Sequence, residues 1–556
     1  MRKGEVVFLI SLALFISVYS TLSIISDIGV GDVKEDKINV GEYKISIEII
    51  SPTGKREGTI VLIHGILGSR KMLKPMGLDL ARAGWRVILV DQIGHGMSGG
   101  EYRLMFSDLS NMEYALQKLI NQTEEFRKAL AKYVEDHTEE DEYVVFGGHS
   151  LGGLLAMIIS GEYNARFNIL ATIGIAPPYM DGVANATIPR NLLLCLGGND
   201  EFIKPNDLEK YAGTGSGGTT GDFSKGTARK VFISPYSDHI FEPYDPEIIG
   251  EIIWWLDLCR GISPRRPIIL ATFIAASKAI CALIGLVMVA MIPIVLADKI
   301  GMISGGKRFP TIKMIKRSLL ASIIVWPVFT LVMLALEFLP MVYLAGYTGY
   351  VMPILVGGYL FVAIIALMVA ANVLRGGEIG IMYIGKKICV YAKADLERGA
   401  LLGLVEAGAF MFVLQITLGD ILVPMIPMTL DRIVVSIMLG TIIFAYFICH
   451  EYLFRAQIQE IFGGKRRRAA VMSIMISTVS KIPVILGISF IVLYVSPFPI
   501  VAIVGLIGMM MITLLTEGLA ATSYYATREI FPHALASALL WASIVAAAFP
   551  IIRILF

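Results

Sequence analysis

Apolar residues are unevenly distributed along the chain, and their spacing divides it into three regions. Residues 1–27 are largely apolar after Arg2 and Lys3. Residues 28–262 alternate between short apolar runs and polar segments, as in a water-soluble domain. Residues 263–556 consist mostly of apolar runs of about 20 residues, the length that crosses a bilayer. The pattern therefore predicts an N-terminal transmembrane anchor, a soluble domain and a membrane domain.

Within residues 28–262, short apolar runs predict strands and periodic runs predict helices. The predicted strands cover residues 42–50, 59–63, 85–91, 142–148, 168–176, 191–198 and 230–234. Helical patterns lie between them at 71–84, 109–133, 152–160 and 246–259. Strands that are apolar throughout and alternate with helices predict a mostly parallel sheet covered by helices on both faces.

The region 263–556 predicts an all-α transmembrane bundle of about eight spans. They cover roughly 268–297, 318–338, 350–374, 399–418, 433–454, 470–495, 500–525 and 534–555. Basic residues are concentrated in three connecting segments, 298–317, 375–398 and 455–468. Because basic loops stay in the cytoplasm, these segments and the two basic residues at the N-terminus both predict a soluble domain on the extracytoplasmic side of the cell membrane.

Composition narrows the classes of partner. The chain is 55% hydrophobic with a mean hydropathy of +0.69, which favours a multi-pass membrane protein with the lipid bilayer as its partner. A net charge of +2 is too small to favour a nucleic acid. The five cysteines have no paired spacing, so neither a disulfide framework nor a metal site is expected, and no motif indicates a cofactor.

One short motif indicates catalysis. The run "YVVFGGHSLGGL" contains G-x-S-x-G at Gly148, Ser150 and Gly152, directly after a predicted strand and before a predicted helix. That context is required for a nucleophilic serine on a sharp strand-to-helix turn, because neighbours without side chains let the backbone turn tightly and leave the hydroxyl exposed. The sequence therefore predicts Ser150 as a nucleophile.

Two glycine-containing loops follow other predicted strands. In "HGILGS" (64–69), the backbone N–H of Ile66 is positioned to join that of Leu151 in an oxyanion hole. The loop "DQIGHGMSGG" (91–100) is interpreted as structural. Its His95 precedes the serine and lies in a glycine loop, so it is not taken as the catalytic base.

A serine nucleophile needs a base and a carboxylate that orients the base. His239 in "PYSDHIF" and Asp200 in "LGGNDEFIKP" each lie just past a predicted strand, in the order serine, acid, histidine. Asp238 is the competing acid, but it adjoins His239 in sequence and is expected to cap the following turn instead.

With these motifs in order, residues 42–260 resemble an α/β-hydrolase of the lysophospholipase and serine-aminopeptidase-like branch. The resemblance implies that Ser150 is the nucleophile, His239 the base and Asp200 the orienting acid. Many relatives insert a helical cap before the acid-bearing strand, whereas here only 177–190 fills that gap. The membrane domain or the bilayer surface is therefore expected to complete the active site.

A second resemblance lies in "HEYLFRAQIQEIFGG" (450–464), which is similar to the first motif of the CAAX-protease and bacteriocin-processing (CPBP) membrane family. Glu451 and Arg455 match that motif, but His450 and Ala456 replace its first glutamate and its glycine. The histidine motifs expected further along are missing, which implies a non-catalytic relative in which Glu451 and Arg455 form a structural pair four residues apart.

The sequence favours a membrane-bound serine hydrolase that cleaves an ester, thioester or amide through an acyl-serine intermediate, with a lipid or lipid-linked acyl substrate. The alternatives are a serine peptidase of the extracytoplasmic face, a transporter or sensor with a hydrolase-like domain, a membrane-domain protease with the hydrolase as an accessory, and an inactive fold used for binding.

Overall fold

The computed structural model describes residues 3–105, 112–302, 364, 368, 396–460, 462–463, 467–479 and 514–555. The first helix, α1 (Lys3–Asp27), covers the predicted anchor and leads directly into the predicted soluble domain, residues 28–262, which is called the soluble part below.

A nine-stranded sheet forms the centre of the soluble part. In chain order, the strands of this part are β1 (Val30–Val40), β2 (Tyr43–Pro52), β3 (Thr59–Ile63), β4 (Arg86–Val90), β5 (Tyr102–Met105), β6 (Val144–His149), β7 (Ile169–Ile175), β8 (Leu192–Gly197), β9 (Thr219–Thr220) and β10 (Arg229–Ser234). The order across the sheet is β1-β2-β4-β3-β6-β7-β8-β10-β9, with β5 outside it. Neighbours from β4 to β10 pair in parallel, whereas β1, β2 and β9 pair antiparallel.

Helices cover both faces of the sheet. They are α2 (Arg70–Arg82), α3 (Met112–Asn121), α4 (Glu124–Asp136), α5 (Leu151–Glu162), α6 (Pro205–Ala212) and α7 (Pro246–Cys259). Alternate residues of each central strand enter different cores. Val61 and Ile63 pack with α4 and α5, whereas Ile60 and Leu62 pack with α2 and α7. This two-residue period places β3 between two apolar layers, and it confirms the prediction of a mostly parallel sheet between helices.

Two local predictions are corrected in this part. Strand β1 was not predicted, because six consecutive residues of this edge strand are exposed and its sequence is polar. Residues 109–111 of the predicted helix 109–133 lie outside the described residues, and the rest of it consists of two helices, α3 and α4, that separate at Gln122 and Thr123. There the Thr123 side chain donates to the Ile120 carbonyl and its own carbonyl accepts from the Arg127 amide, so a new helical turn begins.

Among the described residues, five helices are long and apolar enough to cross a membrane. They are α1, α8 (Ala271–Leu296), α9 (Leu396–Thr417) with its extension to Asp420, α10 (Leu430–Glu451) with its π-helical continuation Tyr452–Gln459, and α11 (Phe531–Ala548). Residues 467–479 and 514–527 are also helical and coincide with parts of two further predicted spans. The predicted span 318–338 lies outside the described residues, as does 350–374 apart from residues 364 and 368.

The predicted span 534–555 is wrong at its C-terminal end. Helix α11 ends at Ala548, and strand β11 (Ile552–Leu555) pairs in parallel with β5 of the soluble part. The Ile551 amide donates to the Gly94 carbonyl at 2.9 Å, so this apolar run satisfies its backbone hydrogen bonds against the soluble part. Hydropathy alone does not distinguish such a strand from the end of a span.

The predicted loop 455–468 is also corrected at its start, since Arg455–Gln459 are helical and buried. Arg455 Nε lies 3.3 Å from Glu451 Oε2, which confirms the predicted pair, and its guanidinium also contacts the Glu517 carboxylate. Two carboxylates compensate the arginine charge, so this polar segment can be buried among helices.

Candidate active site

Ser150 lies on a strained turn between β6 and α5. Its backbone φ is 53°, a left-handed value that costs energy for any residue with a Cβ atom. Glycines make the turn possible: a Cβ on Gly148 would lie 2.4 Å from the Gly152 backbone, and one on Gly152 would lie 2.1 Å from the Ile63 carbonyl oxygen. The turn therefore requires both glycines and projects the Ser150 side chain from the carboxyl edge of the sheet.

His239 and Asp200 meet at the same edge of the sheet. Asp200 follows β8 and His239 follows the neighbouring strand β10. His239 Nδ1 donates to Asp200 Oδ2 at 2.7 Å, which leaves the Nε2 lone pair of the ring to accept a proton. The His239 ring is also 4.7 Å from that of His149, the residue before Ser150. The structure thus brings both predicted residues to the turn that carries the serine.

Asp200 is held as an ionised carboxylate. Its side chain is fully buried, and its Oδ1 accepts hydrogen bonds from the amides of Phe202 and Ile203 at 2.6 and 2.8 Å. Burial alone would raise the pKa of Asp200, but the bond from His239 and these two amides outweigh burial and hold the pKa below its usual value. The carboxylate is therefore fixed in both charge and orientation.

Asp238 has a different role. Its Oδ1 accepts from the amides of Ile240 and Phe241, both at 3.0 Å, which closes the turn after His239. Side chains of this type commonly cap turns in this way. Of the two candidate acids, the structure joins Asp200 to the histidine and uses Asp238 as a turn cap.

The loop 64–69 lies against the serine. A Cβ on Gly65 would be 2.9 Å from the Ser150 Cβ, so this glycine allows the loop to approach the turn closely. His64 at its start is fully buried and neutral, with its pKa lowered by burial, and its Nε2 accepts from the Gln92 amide at 3.0 Å. Leu151 is the first residue of α5, so its N–H has no acceptor within the helix. These two backbone segments flank the Ser150 side chain.

His95 is buried in the loop 91–100, and among the described residues its ring forms no hydrogen bond to a carboxylate. Its Nδ1 donates to the Ile93 carbonyl at 2.8 Å, and its ring lies 5.2 Å from that of His64. Burial, reinforced by the neighbouring His64, lowers the pKa of His95 to about 3. The loop itself is organised by Asp91, whose carboxylate accepts from the Met97 amide at 3.0 Å.

Sequence reasoning missed Glu242, which is fully buried beneath the histidine. Its Oε1 accepts from the Gly197 amide at 2.6 Å, and its Oε2 lies 3.2 Å from His149 Nε2 and 4.0 Å from His239 Nδ1. Burial raises the pKa of Glu242 well above its usual value, and the neighbouring Asp200 charge raises it further. In the sequence, only its position three residues after His239 indicated that Glu242 lies near the site.

His149 completes this buried layer. Its Nε2 lies 2.8 Å from the His239 carbonyl oxygen, and burial lowers its pKa to about 3, with a smaller effect from His239. Among the described residues, ligand atoms of His149, His239 and Glu242 lie within 4.8 Å of one another, close enough to share a metal ion. Such an ion would compete with the Asp200 bond to His239, so these contacts favour a hydrogen-bonded layer.

Comparison with known proteins supports the fold assignment. Residues 58–194 match the family model described as alpha/beta hydrolase fold. Over 145 residues the chain is 28% identical to a monoacylglycerol lipase of Mycolicibacterium smegmatis, a match that covers 26% of this chain and 47% of the lipase. It thus spans about half the length of that relative.

Solved structures similar to the chain include two hydrolases. One is described as a predicted CIB-like hydrolase from Thermoplasma acidophilum, at 19% identity, covering 42% of this chain and all of that one, with a TM-score of 0.31. The other is a thermophilic esterase from Thermogutta terrifontis, at 16% identity, covering 41% of this chain and 99% of that one, with a TM-score of 0.28. The family match and the observed sheet together give the soluble part an α/β-hydrolase fold.

Proposed function

Since the soluble part has an α/β-hydrolase fold, we propose that the protein is a membrane-bound serine hydrolase that cleaves an ester, thioester or amide of a lipid or lipid-linked acyl group. Ser150 is its nucleophile, His239 its base and Asp200 its orienting acid. The observation that carries the proposal is the 2.7 Å bond between His239 Nδ1 and a buried, ionised Asp200, beside a serine held at φ 53°.

The reaction would begin when Ser150 Oγ attacks the substrate carbonyl carbon while His239 Nε2 takes the hydroxyl proton. Asp200 stabilises the imidazolium that forms. The carbonyl oxygen becomes an oxyanion and accepts hydrogen bonds from the backbone N–H groups of Leu151 and Ile66. When the intermediate collapses, the bond to the leaving group breaks and the leaving group takes the proton from Nε2, which leaves an acyl-serine.

Hydrolysis would then reverse the roles of the same groups. A water molecule attacks the acyl carbonyl and gives its proton to His239 Nε2. The second tetrahedral intermediate releases the carboxylic acid as Ser150 Oγ takes that proton back. The cycle needs no metal or cofactor, and the enzyme returns to its starting protonation state.

Five membrane-length helices among the described residues support a location in the cell membrane. The three basic segments between predicted spans, together with Arg2 and Lys3, support an extracytoplasmic position for the hydrolase domain. A lipid or lipid-linked substrate fits this setting because it already resides in the bilayer beside the domain.

Labelling with a fluorescent fluorophosphonate tests the proposal. We expect the full-length protein in detergent or nanodiscs to form one adduct, on the tryptic peptide that contains Ser150, and Ser150→Ala to abolish it. Circular dichroism of the variant must match the wild type. An adduct on another residue, or no adduct in folded protein, would overturn the serine hydrolase.

A further inference from the structure

A segment between two membrane-length helices is bonded to residues that lie near the candidate active site in the chain. This segment, residues 418–429, is called the connector here because it joins α9 to α10. Its main chain is held by two side chains of the hydrolase domain. Ser69 Oγ donates to the Leu422 carbonyl at 2.9 Å, and the Tyr244 hydroxyl donates to the Ile421 carbonyl at 2.6 Å.

These two anchoring residues lie close in the chain to residues of the site. Ser69 ends the 64–69 loop, in which Gly65 touches Ser150, and Tyr244 follows His239 by five residues. The Tyr244 bond is removed from solvent, since Ile421 and Tyr244 are 3% and 4% exposed. The connector is therefore bonded to the end of the 64–69 loop and to the segment that follows His239.

An ionic contact fixes the start of the connector. Lys74 Nζ of α2 lies 2.8 Å from Asp420 Oδ1 and 3.0 Å from Glu48 Oε1 on β2, and Lys278 of α8 contacts the same aspartate. Burial works against the charge on Lys74, but the two carboxylates outweigh it and raise the lysine pKa above its usual value. Charged groups that are largely buried and mutually paired lose much if one partner is removed, so this contact resists separation of the connector from the domain.

Exposed apolar side chains surround the site at the same place. Ile66 and Leu67 in the first loop are 40% and 57% exposed, and Ile240 and Phe241 beside the histidine are 43% and 58% exposed. The Phe241 ring lies 6.3 Å from the Tyr244 ring, whose hydroxyl holds the connector. Apolar side chains clustered around a site usually mark a surface that binds an apolar ligand or a membrane.

We propose that the connector and these exposed side chains form an acyl-binding subsite, which the membrane part supplies in place of the cap that the hydrolase domain lacks. The gap where relatives insert a cap, 177–190, is described throughout and contains only turns and bends. Because the connector joins the ends of two membrane-length helices, it lies at the bilayer surface, and an acyl chain can pass from the lipid to Ser150 along apolar contacts. This inference rests on the proposed function and names its substrate as a long-chain acyl lipid.

Chain-length selectivity of the full-length protein tests the subsite. The kcat/KM ratio of p-nitrophenyl palmitate to p-nitrophenyl acetate is measured in mixed micelles for wild type, Phe241→Ser and Tyr244→Phe. Phe241→Ser removes apolar surface from the rim, and Tyr244→Phe removes only the hydroxyl that holds Ile421. We expect the ratio to fall about tenfold in Phe241→Ser, because several methylene groups lose apolar contact, and by a smaller factor in Tyr244→Phe.

The control is Tyr114→Ser on α3, an aromatic that is 55% exposed away from the site, and it should leave the ratio unchanged. Equal ratios in wild type and Phe241→Ser would overturn the subsite, as would an equal fall in the control. The acetate rate should stay within about twofold in Tyr114→Ser, and in Phe241→Ser the palmitate rate should fall by more than the acetate rate.

A binding measurement separates this inference from the proposed reaction. Ser150→Ala is irradiated with a diazirine-bearing palmitate in detergent, and adducts are mapped by mass spectrometry. We expect adducts on the connector and near Phe241 that unlabelled palmitate suppresses and acetate does not. If these adducts form but the wild type neither turns over esters nor reacts with fluorophosphonate, the hydrolase alone is overturned. Turnover without these adducts would overturn the subsite alone.

Discussion

Two histidine loops at the same edge of the sheet have different chemistry. His95 follows β4 and His239 follows β10, and each ring lies close to a second histidine ring, at 5.2 and 4.7 Å. His95 donates to a backbone carbonyl and is buried, whereas His239 donates to a carboxylate and keeps partial access to solvent. A histidine at a strand end is therefore suited to act as a base only where a carboxylate orients it and Nε2 can reach a substrate.

The largest expected effect separates the two histidines directly. His239→Ala should lower kcat for any substrate by several orders of magnitude, because the serine loses its proton acceptor. His95→Asn should lower kcat by less than about tenfold, since its ring is hydrogen-bonded to a backbone carbonyl within its own loop. Steady-state kinetics on a short soluble ester measures both. A comparable collapse in both variants would mean that the 91–100 loop takes part in the reaction.

The next effect concerns the acid that distinguishes the loops. Asp200→Asn should lower kcat by about 10⁴-fold, because an amide favours the wrong tautomer of His239. Asp238→Asn should cost less than about tenfold, since an asparagine side chain can still accept from the amides of the turn. If Asp238→Asn were the more damaging substitution, the acid would be misassigned.

The secondary structure of the soluble part could be predicted from the sequence only in part. Strand β3 matches its prediction residue for residue, and β4 and β8 match within one residue at each end, because buried parallel strands are short runs of apolar residues. Strand β1 and the break between α3 and α4 were missed. An exposed edge strand looks polar in sequence, and a single side-chain bond to the backbone can end a helix without interrupting its periodicity.

The site was foreseen where motifs are local and missed where contacts are distant. The glycines around Ser150 and the positions of Asp200 and His239 after strands are visible in sequence. The burial of Glu242 depends on β8 and on His149, almost a hundred residues earlier in the chain. The connector lies about 180 residues beyond Tyr244, and no local pattern joins them.

A smaller effect is expected at Glu242, whose Oε2 lies 4.0 Å from His239 Nδ1. Burial raises the pKa of Glu242, which favours its neutral carboxyl, so Glu242→Gln keeps the shape of the group and should leave kcat within a few-fold. Glu242→Ala leaves the buried Gly197 amide without its acceptor, which should cost roughly 1–3 kcal/mol of stability. By loosening the support of His239, it should also lower kcat by up to about 10²-fold.

The pH profile distinguishes a neutral Glu242 from an ionised one. If the carboxyl is neutral, the acid limb of kcat/KM in Glu242→Gln should coincide with that of wild type. An ionised Glu242 would place a negative charge beside the site, so its loss would move that limb to lower pH. A shifted limb, or a glutamine variant as impaired as the alanine variant, would refute the neutral carboxyl.

The smallest expected effect is on acid stability and arises from His95. Its pKa is about 3 in the folded protein against an ordinary value of 6.5, so the unfolded chain binds a proton that the folded chain does not. Its contribution to stability is therefore complete above pH 6.5 and is lost as pH falls toward 3.

His95→Asn removes this titration, whereas the cavity it leaves costs the same at every pH. The fall in the unfolding midpoint between pH 7 and pH 5, followed by tryptophan fluorescence, should be smaller in the variant than in wild type. His64 and His149 also have lowered pKa values, so part of the fall should remain. The exposed His137→Asn is the matched control, and a reduction equal to that of His95→Asn would show that burial of His95 does not cause the effect.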